Sequence, residues 1–247
     1  MENLREALQY VVGLSIDAEK TEVLEINGRT YADKNLTRYD KQPKAAKIQA
    51  VTLTSLVDYI HQCNKEFPGS MIIHIISPTQ VRLMSALDKE REREVLFEIN
   101  AETSEYRFDE WYDQERMMIE LQANFQANDD LGLILKAVGN IEKKNGQEYS
   151  DDGVSQVATM KTGIATKSDV IVPNPVELIP YRTFQEVEQP ASKFVFRIGD
   201  KEVPAFKIVE AEGGIWKNEA ISNIKSFLLE RLSDMIPAIK DNITVIG

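Results

Sequence analysis

The stretch Ser70-Met71-Ile72-Ile73-His74-Ile75-Ile76-Ser77, followed within two residues by Gln80-Val81-Arg82-Leu83-Met84-Ser85-Ala86-Leu87, decides how the chain is read. Its first half is almost continuously apolar and too short to cross a bilayer, so it predicts a strand buried on both faces. Its second half predicts the next strand, and Glu94–Ala101 a third. Between the last two lies Asp88-Lys89-Glu90-Arg91-Glu92-Arg93-Glu94, whose alternating signs make a self-compensated hairpin tip that resists edge pairing.

Upstream, Leu4, Ala7, Leu8, Val11 and Val12 recur at three- and four-residue spacing and predict an amphipathic helix over the first fourteen residues. Thr21–Ile26 suits a short strand turned by Asn27-Gly28, a strong hairpin dipeptide. Ile48–Thr54 suits another strand. Ser55 then stands where it would cap a helix carrying Leu56, Tyr59, Ile60 and Cys63, which Pro68-Gly69 closes. Downstream, two helices are expected, Asp113–Phe125 and Asp129–Asn140; the paired acids Asp129-Asp130 suit the positive end of the second. Strands follow at Val154–Thr162, Asp169–Val172 and Val176–Ile179, with a hairpin of Lys193–Ile198 and Val203–Glu210. A last helix from Asn218 to about Met235 carries Ile221, Ile224, Phe227, Leu228, Leu232 and Met235 on one stripe, ahead of a strand at Ile243–Ile246.

Strands and helices arrive in clusters rather than in alternation, which favours an α+β fold over a doubly wound sheet. The expected architecture has mixed and antiparallel sheets, an N-terminal helix, a long hairpin with a charged tip, two central helices and a C-terminal helix packed on a β-rich subdomain. The polar break around Asn145–Gly153 divides residues 1–147 from 148–247, within what reads as one continuous fold.

The chain has 247 residues, 43% hydrophobic and 28% charged, so collagen-like, low-complexity and disulfide-scaffold classes are excluded. A single cysteine, Cys63, forbids an intrachain disulfide and suits a reducing compartment. The opening Met-Glu-Asn-Leu-Arg-Glu lacks a basic leader; with no long apolar run, a cytoplasmic protein away from membranes is expected. The net charge of −11 repels phosphate backbones on average. One segment opposes it: Arg29, Lys34, Arg38, Lys41, Lys44 and Lys47 face only Asp33 and Asp40, with Tyr31 and Tyr39 among them. Arg29, Lys34, Arg38, Tyr39, Lys41, Lys44 and Lys47 are therefore candidate contacts to a nucleic-acid strand or another anion. The plainer reading is a solvated linker.

Catalytic chemistry leaves little trace. His61 and His74 with Cys63 are too few for a structural zinc site, and His61 and Cys63 point in different directions on a helix. His74 among isoleucines reads as a core histidine. No phosphate-binding glycine loop is present; Gly213-Gly214 lacks the lysine and spacing. Asp109-Glu110, Asp113 and Asp151-Asp152 read as solvated carboxylates rather than a metal or hydrolase site. The expectation is a non-enzyme without metal or cofactor.

The segment from Gly153 to Arg197 is the least composition-like. It contains Val172-Pro173-Asn174-Pro175-Val176, then Pro180-Tyr181-Arg182-Thr183-Phe184-Gln185-Glu186-Val187-Glu188-Gln189-Pro190, then Ser192-Lys193-Phe194-Val195-Phe196-Arg197. In this order it resembles the YfdQ-like family of bacteriophage and prophage proteins, a domain of unknown function. The resemblance implies a phage or prophage origin and carries over no functional residue.

Physically, Pro180 and Pro190 fix the ends of a loop, Tyr181 and Phe184 can fold it onto a sheet, and Arg182 can pair with Glu186 or Glu188. Alternatively Tyr181, Arg182, Phe184 and Glu186 form a partner-contact surface. The leading expectation is a non-catalytic accessory protein that acts by binding, as a homo-oligomer, with counteraction of a host defence protein or ligand as one version. The alternatives are a nucleic-acid-associated replication or recombination factor and a self-assembling shell protein.

Overall fold

A computed structural model describes residues 2–19, 21–26, 29–33, 44–104, 106–141, 150–151, 155–162, 166–199 and 204–247. The chain forms two compact units, Met1–Lys44 and Ala45–Gly247. The boundary expected at 147/148 lies outside the described residues.

The first unit holds α1 (Glu2–Glu19) and the antiparallel pair β1 (Val23–Ile26) and β2 (Arg29–Ala32), in register Ile26 opposite Arg29. None of its described side chains is buried.

The second unit begins with β3 (Ile48–Ala50) and α2 (Leu53–Gln62). The helix starts ahead of the expected Ser55. Thr52 is the cap, its hydroxyl accepting from the Ser55 amide at 3.3 Å, because Leu53 and Leu56 must both turn into the core. Next come β4 (Met71–Ser77), β5 (Gln80–Ser85) and β6 (Val95–Asn100), with the charged tip between the last two folded around Asp88. The Asp88 carboxylate accepts from the amides of Glu90 and Glu92 at 2.9 and 2.8 Å.

Then follow β7 (Tyr112–Asp113), α3 (Gln114–Asn124), α4 (Asp129–Gly139), β8 (Ser150–Asp151), β9 (Ser155–Thr162), β10 (Thr166–Pro173) and β11 (Val176–Leu178). Asp113 caps α3 and Asn128 caps α4, their side chains accepting from the amides of Arg116 and Leu131 at 2.8 Å each. The chain ends with β12 (Ser192–Gly199), β13 (Ala205–Glu210), α5 (Trp216–Ser233), α6 (Pro237–Lys240) and β14 (Ile243–Ile246). This is an α+β fold with mixed and antiparallel sheets.

The five-stranded sheet has the order β14-β4-β5-β6-β3. Its centre is antiparallel, and each edge strand pairs in parallel, β14 with β4 and β3 with β6. Met71, Ile73 and Ile75 of β4 are buried, but Ile72, His74 and Ile76 are only half-buried. The expected strand buried on both faces is thus buried on one. Helices α2 and α5 cover that face, and His74 lies on the other, directly opposite Arg82, rather than in the core.

The four-stranded sheet runs β11-β12-β13-β7 and a three-stranded one β10-β9-β8, all antiparallel. Two cores result. One joins Met117, Leu121, Ile134 and Val138 of α3 and α4 to Phe194, Phe196, Phe206 and Ile208. The other joins Leu53, Leu56 and Ile60 of α2 and Ile224, Leu228 and Leu232 of α5 to the five-stranded sheet.

The C-terminal helix therefore packs on the first sheet, not on the late β-rich part as the sequence reading had it. The reason is β14. By pairing alongside β4 it returns the chain end to the first sheet, and α5, joined to it by a short connection, lands on the same face.

Candidate functional site

The loop from Pro180 to Pro190 is the more completely described of the two candidate surfaces, and a series of hydrogen bonds ties it to its surroundings. At its start, Pro180 bridges to Phe125, and the Tyr181 amide donates to the carbonyl of Asn124 at 2.9 Å. That straps the loop to the end of α3.

Gln189, 4% exposed, holds the turn itself. Its Oε1 accepts from the amides of Arg182 and Thr183 at 3.0 and 3.2 Å, and its Nε2 donates to the carbonyl of Phe184 at 2.9 Å. A carboxamide can do this because it donates and accepts at once. The Thr183 hydroxyl donates to the carbonyl of Pro78, fixing the loop to the turn between β4 and β5.

Phe184 enters the α2–α5 core and is 1% exposed, with Val187 packed beside it. Glu186 accepts from the amide and hydroxyl of Thr54 at 3.2 and 3.4 Å. A carboxylate there complements the positive start of α2. Asn223 of α5 donates to the carbonyl of Glu188 at 3.0 Å.

Arg182 pairs with Glu210 rather than with either neighbouring acid. Nη1 lies 3.1 Å from the Glu210 carboxylate, Nη2 donates to the Ser192 hydroxyl, and the guanidinium sits 3.9 Å from the centre of the Trp216 ring. Glu186 is not available to it, being held at the start of α2. Burial pulls the Arg182 pKa down to about 10 against the opposing pull of Glu210, so the group stays charged at neutral pH.

Of the four candidate contact residues, Phe184 thus belongs to the interior, and Arg182 and Glu186 are taken up by Glu210 and α2. Tyr181 is half-buried where its amide and carbonyl tie the loop down. The arrangement clasps α2, α3, α5 and the β4–β5 turn together. Gln189 has no role in the sequence reading, because a buried amide looks like any loop glutamine until its partners are in place.

The basic segment divides. Lys34, Arg38, Tyr39 and Lys41 lie outside the described residues. Arg29 begins β2 and Lys44 ends the first unit, whereas Lys47 belongs to the second. Its ammonium lies 2.9 Å from Glu98, whose other oxygen accepts from Arg82 Nε at 2.6 Å. Glu98 is 6% exposed. Its carboxyl is held below the usual range, chiefly by the hydrogen bond from Lys47, with Arg82 adding to this against the opposing effect of burial. Lys47 is therefore committed to an internal partner.

Among the described residues, no three His, Cys, Asp or Glu side chains are grouped so as to hold a metal ion, and no helix is long and apolar enough to cross a membrane.

The most uneven feature of the surface is apolar. Among the described residues, twenty large hydrophobic ones are exposed, and ten of them fall in the first unit: Leu4, Leu8, Tyr10, Val11, Val12 and Leu14 on α1, with Val23, Leu24, Ile26 and Tyr31 on the hairpin. The sequence signal for it was the helical spacing itself, which reports an apolar stripe without saying what covers it.

No protein-family model matches the chain, and neither the curated proteins nor the solved structures contain a match to it.

Proposed function

We propose that the chain acts by binding, through the apolar surface of residues 2–33, as a non-catalytic accessory protein of phage or prophage origin. The phage assignment rests on the resemblance of the Gly153–Arg197 segment. The binding role rests on one observation, the ten large hydrophobic side chains between 50% and 69% exposed within so short a stretch. Apolar side chains exposed singly are ordinary; concentrated ones mark an interaction site.

The test immobilises the full chain and challenges it with bacterial host lysate and with a small-molecule panel, beside a Leu8→Glu, Val11→Glu variant. Retention by the natural chain and loss in the variant supports the reading. A chain that neither associates with itself nor retains any protein or ligand overturns it.

A further inference from the structure

We infer that residues 45–51, the edge strand β3 with its flanks, form a latch. They leave the outer edge of β6 together while the rest of the five-stranded sheet stays paired, and the carboxylates of Glu94 and Glu98 hold them shut.

The sheet has two parallel edge strands, and they are anchored differently. β14 packs Ile243 and Val245 against the α2–α5 core, and α5 lies against it. β3 is one residue shorter, and of residues 45–51 only Ala50 packs against that core. Ile48 is 45% exposed and Val51 47%. Apolar burial therefore holds β14 and does little for β3.

What holds β3 in its place is polar and sits at its N-terminal end. The Ala45 amide donates to Glu94 Oε1 at 2.5 Å, and Lys47 Nζ donates to Glu98 Oε1 at 2.9 Å. Glu98 does not depend on the latch for its position, because its other oxygen accepts from Arg82 Nε at 2.6 Å and its side chain is 7% exposed. Lys47 is 42% exposed and can exchange the carboxylate for water at small cost. A fixed acid on the sheet thus meets a solvated cation on the strand, a contact that breaks and re-forms without disturbing the core.

At the other end the motion has a stop. Thr52 caps α2 and Leu53 is fully buried. Opening therefore moves the anchor of the incoming chain from residue 45 to residue 52, which adds up to about 20 Å to its reach. It also bares the backbone edge of β6, which becomes available for strand pairing.

Native-state hydrogen exchange read by mass spectrometry on the full chain, at neutral pH and in urea below the unfolding transition, tests this. The amides of residues 45–51 are expected to exchange at least about tenfold faster than those of β4 and β5. Urea is expected to leave their rate unchanged, because a local opening exposes little surface, while it speeds exchange in β4 and β5. β14 is expected to exchange more slowly than β3. Lys47→Met keeps the aliphatic stem and removes the charge; it is expected to speed exchange in 45–51 about fivefold and in β4 and β5 by less than about twofold.

Amides in β3 as slow as those of β4, or with the same urea dependence, overturn the inference, as does a β14 that exchanges as fast as β3. So does a Lys47→Met chain whose 45–51 rate is unchanged. A variant in which β4 and β5 speed up by the same factor as 45–51 overturns it too, since the contact would then hold the whole sheet rather than the latch.

Discussion

Helices α1 and α5 have the same length, eighteen residues, and opposite fates. The sequence of α1 separates apolar from polar faces more cleanly, yet its leucines and valines are more than half exposed. In α5, Ala220, Ile224 and Leu228 are fully buried, although Leu229 on its outer side is exposed. What separates the two is what each is attached to. A short connection ties α5 to β14, a strand of the central sheet, so the sheet supplies its covering surface. Among the described residues, the two strands following α1 pair only with each other. Amphipathic spacing measures the capacity to bury surface; the topology of the neighbours decides whether that capacity is used within the chain.

The comparison breaks first at Phe184. If the Pro180–Pro190 loop belongs to the core as α5 does, Phe184→Ala destabilises the second unit by about 3–5 kcal/mol in urea denaturation. A loss under 1 kcal/mol would place the ring on the surface with α1.

Gln189→Ala comes next. It leaves the amides of Arg182 and Thr183 and the carbonyl of Phe184 without their partner, and about 2–3 kcal/mol is expected by the same measurement. Gln189→Glu keeps the acceptor for the Arg182 and Thr183 amides but sets a carboxylate oxygen against the Phe184 carbonyl in a buried site, and should cost at least as much as the alanine change.

Glu98→Gln should cost about 1 kcal/mol, discounted because Lys47 and Arg82 are each more than a third exposed. Its pH dependence is the sharper readout. The folded pKa is lowered, so Glu98 contributes stability above its unfolded value near 4.5, and that contribution disappears as the pH falls through the folded value. Denaturant midpoints measured from neutral pH down to about pH 3 should fall less steeply in Glu98→Gln than in the natural chain. Parallel curves would remove Glu98 as a source of acid sensitivity.

The smallest effect is expected at Leu8. Leu8→Glu should leave the unfolding midpoint of the 45–247 unit within about 0.5 kcal/mol of the natural value, the reverse of what Leu228→Glu would do.

Much of the fold was legible in the residues. The hairpin of Gln80–Leu87 and Glu94–Ala101, the start of α3 at Asp113 and the stripe of α5 follow from short apolar runs bounded by turn residues, a polar helix start and helical spacing, all of which act over a few residues. Expectations failed where a distant element intervened. Ser55 lost its cap role to Thr52 because core packing set the start of α2. Arg182 turned from Glu186 to Glu210 because the start of α2 already held that carboxylate.

By itself, the sequence determined the α+β class, the excess of acid, and the existence of an apolar stripe near residue 10, since these depend on composition and local periodicity. Only the tertiary structure decided that the proline-bounded loop is an internal clasp, that Lys47 is held by Glu98, and that the side chains of the α1 stripe are exposed. Each of those outcomes turns on which surfaces meet across many tens of residues, and pairings at that range leave no periodic mark in the chain.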